Sequence, residues 1–119
     1  MEPVTVAECM NRRIVALREH REELGQAGKV KSQTIIEYEK ELALTLMKLR
    51  NGVRLELEGE SICEPPITIM EKIAKGICWE SKLKAEEAET NYKTVAVRMN
   101  ALASELNAFQ SISRHLSEV

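Results

Sequence analysis

At 119 residues, with a net charge of −2 and a pI near 5.8, the chain is sized for one domain and lacks the whole-molecule positive charge that would grip nucleic acid. Aromatic residues make up 3% against 44% hydrophobic residues, so the core has to be aliphatic and alanine-rich, as in helix bundles and coiled coils. All 19 acidic residues are glutamates, which suits a mainly helical chain and removes aspartate, the commonest ligand for hard cations.

The first predicted element is a helix over about 4–24. Pro3 suits a first helical turn, and Met10, Ile14, Leu17 and Leu24 follow at steps of four, three and seven, with Arg21 in the skipped position. Gly25 and Gly28 read as its terminator. Thr34 and Glu37 form a capping-box pattern ahead of Ile35, Tyr38, Leu42, Leu46 and Leu49, which predicts a second helix over about 34–50 ending at Asn51-Gly52. A helical hairpin is the economical packing for these two.

After Gly52 the apolar period drops from 3.6 to 2. Val53, Leu55 and Leu57 face one way and Arg54, Glu56 and Glu58 the other, so a β-ribbon is expected over about 53–63 with its turn at Gly59-Glu60. A lone ribbon is marginal in water and has to lie on a helix or on a copy from another subunit. Glu64-Pro65-Pro66 then starts a long C-terminal helix over about 67–116, with Thr68 and Glu71 offering a second capping box.

That helix carries two apolar phases. Met70, Ile73 and Ile77 share one; Ala88, Tyr92, Val95, Met99, Leu102, Leu106, Phe109 and Leu116 form a heptad seam in another, so a stutter or bend is expected between them. Unbroken, the helix would be roughly 75 Å long at 1.5 Å per residue. It either breaks, with Gly76 and Thr90-Asn91 the candidate points, or buries its late seam against another chain. Trp79 lies on neither phase and is expected under the ribbon or in a contact between subunits. The fold class is therefore mainly α: a helical hairpin, a short β-ribbon and a long C-terminal helix in one domain over 1–119.

The chemistry is sparse. Cys9, Cys63 and Cys78 have no C-x-x-C spacing and read as reduced, buried thiols in a cytoplasmic protein. No secretory leader and no membrane-spanning run is expected. His20 and His115 sit among charged residues without a ligand partner and read as solvated; Glu86, Glu87 and Glu89 share one helix without a facing carboxylate. Cys78 beside Trp79 has no histidine partner, which favours packing over nucleophilic chemistry. No catalytic, metal or cofactor site is expected.

Two features carry function. Tyr92, Val95, Met99, Leu102, Leu106, Phe109 and Leu116 form a candidate interface for self-association or a protein partner. Lys72, Lys75, Lys82 and Lys84 with Arg12, Arg13, Arg18 and Arg21 offer a stripe that could contact the phosphates of single-stranded nucleic acid without reading its sequence.

The runs Leu55-Glu56-Leu57-Glu58-Gly59-Glu60, Glu64-Pro65-Pro66, Ile73-Ala74-Lys75-Gly76-Ile77-Cys78-Trp79-Glu80 and Leu106-Asn107-Ala108-Phe109-Gln110-Ser111-Ile112 resemble small uncharacterised helical proteins of phages and prophages of Gram-positive bacteria. The resemblance covers about residues 33–116 and brings no functional residue with it. It implies a non-enzymatic, oligomeric accessory protein in a replication or recombination setting, with a virion or assembly component and an inhibitor of a host defence protein as the alternatives.

Overall fold

A computed structural model of the chain describes residues 2–117. The element order is α1 (Pro3–Arg50), β1 (Leu55–Leu57), β2 (Glu60–Ile62), α2 (Ile67–Ile77) and α3 (Trp79–Ser117). The protein is mainly α, with a long C-terminal helix and a two-stranded antiparallel ribbon between helices, in agreement with the fold class expected from the sequence.

The expected helical hairpin over 4–24 and 34–50 is instead the single helix α1. Gly25 and Gly28 do not terminate it, because the positions that pack keep their three-four spacing straight through them. Leu24 is half-buried and Ala27 buried, with Lys31, Thr34 and Tyr38 following on the same side. A glycine inside a helix costs only about 1 kcal/mol relative to alanine, which continuous packing readily outweighs. Thr34 does not cap a helix either: its hydroxyl donates back to the carbonyls of Val30 and Lys31 at 2.8 and 3.0 Å, the mid-helix alternative for threonine.

The C-terminal helix breaks once, after Ile77. Cys78 lies between α2 and α3 with φ −90° and ψ 21°, and its N–H donates to Ala74. The chain then runs as one helix through Thr90-Asn91 to Ser117. From Cys78 onward the inward positions fall at unbroken steps of three and four, so the interruption is where the apolar phase is reset. Pro66 caps α2 without a side-chain hydrogen bond, so the Thr68–Glu71 pattern is not used.

The residues gather into two compact units. The first combines the residues up to Lys29 with those from Thr90 onward; the second is Val30–Glu89. In the second, Leu49, Met70 and Ala74 form the buried centre, with Leu42, Leu46, Leu55, Ile62, Ile73 and Ile77 around it. The ribbon pairs Leu55 with Ile62 and Leu57 with Glu60, turning through Glu58-Gly59 rather than Gly59-Glu60. Its apolar side lies on helices of its own chain: Leu55 and Ile62 reach the core, and Leu57 packs close over Gly76. Trp79 is not enclosed by the ribbon, with half of its surface exposed.

Candidate self-association surface

From Tyr92 onward the late seam lies in the first unit, where α3 from Thr90 onward runs beside α1 up to Lys29. The pairing is antiparallel. Arg13 meets Glu105 and Phe109, Glu23 meets Arg98, and the backbone of Gly28 approaches Tyr92. A Cβ added at Gly28 would stand 3.5 Å from the Tyr92 ring, an ordinary packing distance, so the ring lies directly against this turn of α1. The seam expected to need another chain therefore has a first partner within its own.

Two helices cannot enclose a seam by themselves. Val6, Ala27 and Val95 are the side chains in this unit that become buried, whereas Tyr92, Met99, Leu102, Leu106, Phe109 and Leu116 stay half-buried after pairing. Between the helices runs a groove of about 260 Å³ lined by Ile14, Leu17, Arg18, Arg21 and Leu106.

The two faces of this helix pair differ. One is strapped by polar contacts: Arg13 Nε donates to Glu105 Oε2 at 2.8 Å, its guanidinium stands over the Phe109 ring, and Arg98 pairs with Glu23 at 4.0 Å. His20 Nδ1 also lies 3.1 Å from Glu23, so this histidine is half-buried and in hydrogen-bond contact with a carboxylate rather than the solvated residue expected.

The opposite face holds the groove, where Arg18 and Arg21 stand beside Ile14, Leu17 and Leu106. At 3.6 residues per turn, Ala7, Met10, Ile14, Leu17, Arg21, Leu24 and Gly28 fall on one side of α1. Tyr92, Ala96, Met99, Ala103, Leu106, Gln110 and Ser113 fall on the matching side of α3. The groove between Ile14, Leu17 and Leu106 and the contact of Gly28 with Tyr92 place the two rows together. Of these positions Arg21 is ionised, and Arg18 also lines the groove on this face. Sequence reading found the seam but not this asymmetry, because the faces acquire their identities only once α1 and α3 are set in antiparallel register.

The basic residues divide between the two units. Arg12, Arg13, Arg18 and Arg21 belong to the first unit and Lys72, Lys75, Lys82 and Lys84 to the second. At about 100° per residue, Lys82 and Lys84 lie on opposite sides of α3, as far apart as one helix allows. Three of the candidates are engaged locally: Arg13 as above, Lys75 with Glu71 at 3.3 Å, and Lys82 with Glu86 at 3.7 Å and over the Tyr38 ring at 5.1 Å.

In the second unit α1 and α3 meet through polar side chains. Ser81 donates to Glu41, and the Thr45 hydroxyl lies 3.3 Å from the Cys78 thiol. Burial pushes the Cys78 thiol above its ordinary range, against the lowering effect of Thr45 and with a further upward push from Glu41. All three cysteines are unpaired, but only Cys78 is buried; Cys63 is exposed, contrary to expectation, because it follows the ribbon, where its thiol donates to the Gly52 carbonyl.

Among the described residues, no group of three or more histidine, cysteine, aspartate or glutamate side chains is placed to hold a metal ion, and no helix is long and apolar enough to cross a membrane. No protein-family model, curated protein or solved structure matches the chain.

Proposed function

We propose that the protein is a non-enzymatic, self-associating helical accessory protein of phage or prophage type that works by protein–protein contact. The observation that carries this reading is the row of large apolar side chains, Met99, Leu102, Leu106 and Phe109, left half-buried on a paired helix. Uncovered apolar surface along a heptad seam is what association buries in helical bundles. The resemblance to small phage proteins supplies the setting, replication or recombination.

Protein contact is favoured over binding of single-stranded nucleic acid. Phosphate binding draws on clustered, uncommitted cations, whereas Arg13, Lys75 and Lys82 already face glutamates and Lys82 and Lys84 point away from each other. The deciding experiment is the solution mass of the full chain by light scattering and sedimentation over a range of concentrations. A dimer or larger species is expected, and a monomer throughout would refute the reading.

A further inference from the structure

We propose that the groove between α1 and α3 docks a short amphipathic helix of a partner protein, one whose apolar stripe is flanked by carboxylates. This rests on the protein-contact part of the reading above and is independent of self-association.

The sign of the partner follows from the charges around the groove. Arg18 and Arg21 stand beside Ile14, Leu17 and Leu106, and among the described residues neither arginine has a hydrogen-bond or ion-pair partner. No glutamate lies on the groove side of either helix. At about 100° per residue, the arc of α1 from Leu17 round to Arg18 carries Met10, Ile14 and Arg21 and no carboxylate, and Glu22 falls beyond Arg18 on the solvent side. Between Thr90 and Ser117 the one glutamate of α3 is Glu105, which Arg13 holds on the other face. The groove thus combines an aliphatic floor with cations of one sign and no counter-charge of its own. A second copy would bring the same two arginines, whereas an acidic segment supplies what the groove lacks.

The shape of the partner follows from the lining. A guanidinium at the edge of apolar surface pairs with a carboxylate through two hydrogen bonds, which strengthen as apolar contact displaces water. Arg18 and Arg21 are one helical turn apart, so carboxylates one turn apart on a docked helix match them in pairs. Laying the apolar face of a helix into such a groove is a recurring mode of recognition. Nucleic acid would suit the cations but not the floor, where Ile14, Leu17 and Leu106 offer no ring on which a base can stack.

The test titrates the full chain into a labelled peptide of about three heptads, with leucine at a and d and glutamate at e and g, which repels its own copies. A counterpart with lysine at e and g and an oligothymidylate are the other probes. Two charge-reversed proteins are compared: Arg18→Glu with Arg21→Glu in the groove, and Lys72→Glu with Lys84→Glu in the second unit, which alters net charge equally. All four positions are exposed, and far-ultraviolet circular dichroism checks that helicity is kept. The glutamate peptide is expected to bind about tenfold or more tighter than the lysine peptide, with the groove reversal inverting that preference and the lysine reversal leaving it in place. Equal binding of the two peptides, binding of neither, a preference that survives the groove reversal or is inverted by both reversals, or tighter binding of oligothymidylate than of the glutamate peptide would overturn the proposal. Light scattering on the same samples reads self-association separately. A monomer that binds the glutamate peptide through the groove keeps this inference and sinks self-association, and a dimer that ignores both peptides does the reverse.

Discussion

The guanidinium of Arg13 stands 5.4 Å from the centroid of the Phe109 ring while its Nε donates to Glu105. One side chain of α1 thereby holds two successive turns of α3 and fixes the antiparallel register of the first unit. An exposed ion pair contributes little, typically under about 1 kcal/mol, and a cation over a ring at a partly exposed site adds about 0.5–1 kcal/mol. A double-mutant cycle with Arg13→Ala and Phe109→Leu, followed by urea denaturation, should give a coupling of about 0.5–1 kcal/mol. The part carried by Glu105 should shrink in high salt and the part carried by the ring should persist.

Cys78 and Thr45 meet where α3 begins, and the thiol there is buried and pushed above its ordinary value of 9.0. A thiol held neutral in the folded state contributes nothing extra while the unfolded thiol is also neutral. As pH rises through 9.0 the unfolded chain ionises first and stability is lost, until the folded thiol ionises too. Stability should therefore fall above about pH 9 through this group, and Cys78→Ala should remove that part of the fall. Alkylation at pH 8 followed by mass spectrometry should label exposed Cys63 quickly and Cys78 only on unfolding.

The turn of the ribbon uses two residues with positive φ, Glu58 at 50° and Gly59 at 77°, as the two-residue hairpin requires. Glycine adopts this backbone freely and glutamate does not, at a cost of about 1 kcal/mol. Glu58→Asn should stabilise the second unit by about 0.5–1 kcal/mol, and Gly59→Ala should destabilise it by a similar amount, both read as shifts in the denaturation midpoint. Equal midpoints for Glu58→Asn and the wild type would argue against this turn.

Leu49 is 1% exposed and sits at the centre of the second unit, against Met70 and Ala74. Leu49→Ala should cost about 2–5 kcal/mol, whereas Ile36→Ala, at a site 63% exposed on the same helix, should cost well under 1 kcal/mol. The contrast separates packing from helix propensity, because both substitutions install the best helix former.

Much of this fold was legible from local pattern. The period-two run Leu55–Leu57 announced the ribbon, Asn51-Gly52 marked the end of α1, and Ala88 to Leu116 announced a seam whose residues do point inward. The failures are of one kind. Gly25, Gly28 and Thr34 carry local signals for a helix end, and a local signal worth about 1 kcal/mol yields to packing against a segment remote in sequence. Tyr92 over Gly28 and the buried Ala27 exist only in the antiparallel pairing with α3. The two faces of the candidate surface were hidden for the same reason: Arg13 and Glu105 are 92 positions apart, and no window of the chain contains both.

Gly25 offers the sharpest test of the continuous helix. It lies inside α1 without the positive φ of a helix-ending glycine, and a Cβ built there meets nothing within 4 Å. In that setting Gly25→Ala should stabilise the protein by about 0.8–1 kcal/mol, because alanine is the better helix former and no contact opposes it. Gly25→Pro should cost about 3 kcal/mol or more, since proline removes a backbone donor and clashes with the preceding turn. A helix ending at Gly25 makes the opposite demands: alanine would be strained in the left-handed cap, and proline just past the end would be tolerated. The two substitutions thus move in opposite directions under the two arrangements. Thermal denaturation followed at 222 nm decides between them, and a destabilising Gly25→Ala with a tolerated Gly25→Pro would refute the single helix from Pro3 to Arg50.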